Sequence, residues 1–142
     1  DSDEHDTFGH ITEDLAETRV RMVDKRRRKG PGLRSEVTPP IASDLDDADM
    51  VLVGWGSTQR AIGEAAASLR EQGRSVGTLH FTEVWPLPEI ALPDGDLWVV
   101  EGNAGGQFEQ LLHTEFGLSP AGHVRRYDGL PMTAAHIIRE VS

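Results

Sequence analysis

The chain has 142 residues, 37% of them hydrophobic, enough for one core of ordinary domain size and too few for two independent ones. Its formal net charge of −10 disfavours general nucleic-acid binding, and the lack of Cys excludes disulfides, thiolate metal ligands and a thiol nucleophile. No apolar run approaches the ~20 residues of a membrane helix and the acidic amino end lacks the layout of a signal peptide, so a cytoplasmic protein of one domain plus an extension is expected.

The chain begins at Asp1 rather than Met, which reads as a processed product or a piece of something longer. Residues 1–14 carry Asp1, Asp3, Glu4, Asp6, Glu13 and Asp14 around Gly9 with no apolar period, and read as a loop or connector. Asp3-Glu4-His5-Asp6 with His10 is the dense acid and imidazole group, but a loop does not preset ligand geometry, so no metal is assigned to it. A helix is expected from Thr12 to Asp14 onward, with a thin stripe of Leu15, Met22 and Val23 that must lean on another domain or subunit. Lys25-Arg26-Arg27-Arg28-Lys29 reads as a solvated or internally paired helix end, and Gly30-Pro31-Gly32 as the stop. Ser35 to Asp47, with Pro39-Pro40, reads as a linker, giving a connector over 1–47 and a domain over 48–142.

From there strand and helix alternate, the pattern of a mostly parallel sheet covered by helices, an α/β/α arrangement of about four to five strands. Met50 to Val53 run apolar without interruption, as a strand buried on both faces requires. Gly54-Trp55-Gly56-Ser57-Thr58 then turns into a helix over 58–72, capped by Ser57 or Thr58 and closed by Gly73. Strand 75–81 exits through Val84-Trp85-Pro86-Leu87-Pro88, a rigid apolar segment that cannot be helical throughout. Strand 96–101 leads through Gly102-Asn103-Ala104-Gly105-Gly106 into helix 107–116, and strand 123–127 precedes a last helix over 133–141 capped by Thr133.

The chemical candidates lie at the two glycine turns. Gly54 and Gly56 either cradle an anion at a helix amino terminus or simply let strand and helix pack closely, and Gln59 stands where the dinucleotide fingerprint wants a third Gly. Glu101 and Asn103 follow a buried strand, where an acid or base, a seat for a partner's cation and a helix cap are all open, the cap or interface role being preferred. His80 inside a strand reads as a satisfied core or interface imidazole. Trp85 in its proline frame reads as an anchor for a neighbouring domain. No nucleophile elbow, phosphate loop, or paired acid and base survives.

Three blocks together resemble the α subunit of 2-oxoacid:ferredoxin oxidoreductases: Ser2 to Glu13, Arg21-Met22-Val23-Asp24-Lys25-Arg26, and Asp47 to Thr58. Leu79-His80-Phe81 to Pro88, Val99-Val100-Glu101-Gly102-Asn103 with Gly106-Gln107, and Tyr127-Asp128-Gly129 with Pro131 continue the resemblance in order. It implies a transketolase carboxyl-terminal-like domain joined through residues 1–47 to a missing pyrimidine-binding domain. It also implies an enzyme that decarboxylates a 2-oxoacid on thiamine diphosphate and Mg2+, passes electrons through iron–sulfur clusters to ferredoxin, and makes an acyl-CoA. The rest of the α subunit and a β subunit would be the partners, with no cofactor held by this chain alone and 2-oxoglutarate favoured over pyruvate. Gly54, Gly56, Ser57 and Thr58 are the turn expected to meet CoA or a neighbouring chain. Relatives often carry two Asn after the strand-end Glu; here Gly102 takes the first place. The alternative is a free-standing α/β module that binds a small anionic ligand at its two glycine turns.

Overall fold

Met50, Val51, Leu52 and Val53 are apolar in succession because the strand they form lies at the centre of a sheet covered on both faces. The computed structural model describes residues 4–14 and 16–142, so Asp1, Ser2 and Asp3 of the acidic cluster and Leu15 of the apolar stripe lie outside the described residues. The chain divides into two units, Asp1–Val37 and Thr38–Ser142.

In the first unit α1 runs Thr18–Glu36, starting later and ending later than the sequence pattern suggests. The late start follows from Asp14, whose carboxylate accepts the backbone N–H of Glu17 at 3.2 Å and of Thr18 at 3.3 Å and so caps the first turn from outside it. The expected stop at Gly30-Pro31-Gly32 is corrected: Pro31 sits inside the helix. A proline deletes one intrahelical donor while its fixed φ remains helical, and the helix ends only where Val37 turns extended ahead of Pro39. Met22 is buried, and the Glu4 carboxylate forms a two-pronged pair with the Arg26 guanidinium at 3.1 and 2.8 Å.

The second unit is a five-stranded sheet in the order β1-β3-β2-β4-β5. Its strands are β1 (Ile41–Ser43), β2 (Met50–Trp55), β3 (Val76–Phe81), β4 (Asp96–Glu101) and β5 (Gly122–Arg125). β2, β3, β4 and β5 are parallel and β1 joins β3 antiparallel, with Ile41 opposite His80. The strand β1 corrects the reading of Ser35 to Asp47 as linker throughout. Three exposed residues carry no burial pattern that a sequence would reveal, and backbone pairing to β3 alone defines them.

The helices are α2 (Gln59–Glu71), α3 (Gln107–Phe116) and α4 (Ala134–Val141). α2 and α4 cover one face, where Ile62, Leu69 and Ile137 pack on Leu52, Val76 and Val100. α3 covers the other, where Phe108 and Leu112 join Val51, Val53, Phe81 and Val99. Leu87, from the proline-rich segment, is buried in that second layer, which explains why the segment is apolar without being helical. The chain is thus a three-layer α/β/α unit with a mostly parallel sheet, preceded by an amino-terminal helix.

Candidate functional site

β2 and β4 are neighbours and run parallel, yet the helices that follow them leave to opposite faces of the sheet. Two chains that diverge from adjacent strands open a crevice at the carboxyl edge, the place where open α/β sheets hold ligands. Here the crevice is a cleft of about 450 Å³. Trp55, Gly56, Ser57 and Thr58 form one wall and Gly102, Asn103 and Gln107 the other. The fold therefore brings both glycine turns into one place, and of the residues singled out from sequence Gly56, Ser57, Thr58 and Asn103 line it directly.

Gly54 lies beneath the turn rather than in the cleft. A Cβ there would strike Ile62 Cδ1 and come within 2.7 Å of Thr58 Oγ1 and 3.2 Å of the Val100 carbonyl, so close packing of β2 on α2 and β4 accounts for it. Gly56 has φ of +57°, which an L side chain rarely adopts. The Thr58 hydroxyl accepts the Trp55 N–H at 3.1 Å and donates to the Trp55 carbonyl at 2.8 Å. It staples the turn to itself and does not cap α2, which corrects the expectation of a side-chain cap there.

The second turn is organised around Glu101, which is fully buried. Its carboxylate accepts the backbone N–H of Phe108 at 2.9 Å and of Glu109 at 3.2 Å, and the Asn103 amide at 2.5 Å. Asn103 Oδ1 in turn accepts the N–H of Gly106 at 2.6 Å and of Gln107 at 3.4 Å. The four donors at the start of α3 are thus met from within the chain, and the positive end of its dipole is offset by a buried carboxylate. Among the described residues no Lys, Arg or His lines the cleft. Of the roles open to Glu101, the geometry is that of a helix cap.

Sequence reasoning did not place Trp55 or Gln107 in a cleft, and its reading of His80 as a satisfied imidazole is corrected. Trp55 is part of the quoted turn, but that its indole lines the cleft with 38% of the residue exposed depends on Phe108, whose ring lies 6.1 Å away beneath it. Gln107 enters only because α3 starts where it does. His80 is buried, at 4% exposure, and its Nε2 lies 3.1 Å from the Gly56 carbonyl while Nδ1 has no partner. It is a half-satisfied imidazole that props the turn, and burial lowers its pKa against the opposing pull of the Gly56 carbonyl. Trp85 stands apart from the cleft lining, on the segment that leaves β3, with 68% of the residue exposed.

Metal and cofactor motifs find no footing in these residues. Among the described residues no group of three or more His, Asp or Glu could hold a metal ion, since Glu4 is engaged by Arg26 and Asp6 accepts the N–H of Phe8 and His10. Asp94-Gly95-Asp96, the nearest echo of a thiamine-diphosphate magnesium motif, sits at the amino end of β4, where the Ala48 carbonyl fills the place of a Gly95 Cβ. That is a packed turn and does not fit a diphosphate. No helix among the described residues is long and apolar enough to cross a membrane.

No family model matches the chain. It is 30% identical to 2-oxoacid:ferredoxin oxidoreductase 1, subunit alpha, of Aeropyrum pernix across 98% of its own length and 23% of that protein. It is 24% identical to 2-oxoglutarate synthase subunit KorA of Methanothermobacter marburgensis, across 81% of this chain and 32% of that one. The solved 2-oxoglutarate:ferredoxin oxidoreductase of Magnetococcus marinus shares the fold over 97% of this chain and 25% of its own, with a TM-score of 0.79 at 24% identity. The chain spans between a fifth and a third of the length of these curated relatives. It is homologous to 2-oxoacid:ferredoxin oxidoreductase α subunits over most of its length.

Proposed function

We propose that this chain is the carboxyl-terminal domain of the α subunit of a thiamine-diphosphate-dependent 2-oxoacid:ferredoxin oxidoreductase of the cytoplasm, and that its own task is assembly. The observation that carries this reading is the alignment through 98% of the chain with an α subunit, in a chain whose carboxyl-edge cleft offers no metal cluster or titratable pair among the described residues. The thiamine diphosphate, Mg2+ and iron–sulfur clusters of the whole enzyme belong to other parts of it, since this chain has no Cys and its Asp94-Gly95-Asp96 turn does not fit the cofactor. The missing pyrimidine-binding part of the α subunit and the β subunit are its direct partners, with residues 1–47 as connector, and ferredoxin is the electron acceptor of the complex. Between substrates, 2-oxoglutarate is favoured over pyruvate, in keeping with the similarity to 2-oxoglutarate synthase.

The reading is tested by assaying 2-oxoacid-dependent ferredoxin reduction with CoA and thiamine diphosphate, for the chain alone and for the chain joined to the remaining polypeptides. No turnover is expected from the first and turnover from the second; activity of the chain alone overturns the proposal. The rival, a self-contained module for anionic ligands, loses one of its two cradles to Glu101 and Asn103, which already occupy the donors of α3.

A further inference from the structure

We propose that the cleft between β2 and β4 seats an arginine side chain carried on a loop of a partner polypeptide, stacked on the indole of Trp55. This rests on the assembly reading above and gives that assembly its contact chemistry.

Of the two helix starts that could draw an anion, the one opening α3 is cancelled. Its N–H groups are committed to Asn103 and Glu101, and among the described residues no cationic side chain lines the cleft. The acidic surround and the Trp55 face favour a cation. The Ser57 hydroxyl and Gln107 amide make no side-chain hydrogen bond among the described residues. Trp55 is backed by Phe108 and partly exposed, which makes it a supported platform for a guanidinium. The surrounding unit, Thr38–Ser142, holds fifteen Asp or Glu, six Arg and no Lys, so its field draws positive charge towards it.

A partner polypeptide is favoured over a small cation by what flanks the cleft. Tyr127 and Leu130 are exposed on the turn that follows β5, where Arg126 N–H donates to the Glu101 carbonyl at 3.2 Å and keeps the turn beside the second glycine loop. Asp128 pins that turn by accepting Arg126 Nε at 3.1 Å and the Leu130 N–H at 3.0 Å, so the apolar groups are held outward instead of folding back. Exposed Trp85 leaves the same edge after β3. Exposed aromatic and apolar side chains on the same sheet edge as a seat for Arg are the composition of a protein interface hot spot.

The test uses the full chain at low ionic strength and three short peptides that differ only at a central residue: arginine, its neutral isostere citrulline, or phosphoserine. Binding is read from the NMR signals of the Trp55 indole N–H and the Gln107 side-chain amide. The arginine peptide is expected to saturate these signals with an affinity about tenfold above that of the citrulline peptide, and the phosphoserine peptide to leave them unmoved. Gln107→Lys, which sets a cation at the mouth, is expected to abolish arginine binding with the rest of the spectrum unchanged. Equal affinity for arginine and citrulline, or preference for phosphoserine, overturns the proposal. Association with the remaining α and β polypeptides is measured separately. Failure of the unchanged chain to associate removes the assembly reading, and the partner as the source of the arginine, while peptide discrimination still stands or falls by itself. Association undiminished by Gln107→Lys removes the arginine seat alone.

Discussion

Glu101 accepts the backbone N–H of Phe108 at 2.9 Å across seven residues of chain, and by doing so makes the end of β4 the cap of α3. A strand end thus holds a helix start, and the cleft wall between them is fixed by one carboxylate. Glu101→Gln keeps the shape but loses the charge and turns one acceptor into a donor facing other donors. The expected cost is about 2–3 kcal/mol, typical of a charge-assisted bond lost in a buried place. Urea unfolding should show a lower midpoint with unchanged m, and hydrogen exchange should quicken first at Phe108 and Glu109. A variant as stable as the unchanged chain would contradict the cap.

Gly54→Ala tests the other wall. The added methyl would overlap Ile62 Cδ1 and crowd Thr58 Oγ1, and the Val100 carbonyl behind it belongs to the neighbouring strand and cannot swing away. A loss of about 3 kcal/mol is expected, the upper part of the range for overpacking. Thermal unfolding measures it. Gly63→Ala, in the middle of α2 with open space around its Cα, is the control and should stabilise slightly, by up to about 1 kcal/mol. Were the two variants alike, the close packing of β2 on α2 would not be the reason for Gly54.

The strands and helices legible in the sequence were those with a strong period and clear punctuation. Met50 to Val53 announced the central strand, Gly73 closed α2, and Thr133 capped α4 by accepting the His136 N–H at 3.2 Å. What escaped depends on tertiary partners. β1 has no pattern beyond its pairing with β3, and α1 passes Pro31 because one missing donor is a smaller loss than ending the helix. The site residues Glu101 and Asn103 were found as a strand end followed by a turn. Their assignment as caps needed the position of α3, just as the role of Gln107 did. His80 illustrates the limit most plainly: a histidine in an apolar strand carries no sign of which ring nitrogen will find a partner.

In the first unit Arg26 beside Glu4 holds the glutamate pKa down to about 2, with a partial opposing push from desolvation. A carboxylate whose folded pKa lies below its unfolded value of about 4.5 adds stability above that value and loses it as pH falls towards 2. Carbon-detected NMR of the Glu4 carboxyl should therefore show ionisation persisting well below pH 4. Arg26→Met should bring the midpoint back towards the ordinary glutamate range and loosen residues 4–11 from α1. An unchanged midpoint in that variant would show that Arg26 is not the cause.

His80 gives the opposite flank of the pH profile for the second unit. Burial is the larger influence and lowers its pKa below the ordinary value of about 6.5, with the Gly56 carbonyl opposing by accepting the Nε2 proton. The sign follows from which state binds the proton. Below about pH 6.5 the unfolded chain protonates at this position while the folded chain still resists, so stability is lost as pH falls through that range and is fully present above it. His80→Gln retains a donor for Gly56 without titrating. It should flatten the decline in stability as pH falls below about 6.5 while leaving the Trp55 indole signal in place. Direct titration of the His80 ring by NMR should give a midpoint below the ordinary histidine value. A midpoint at or above the ordinary histidine value would mean that the turn at Gly56 opens to water, and the cleft would then lack the fixed wall that its recognition of a partner requires.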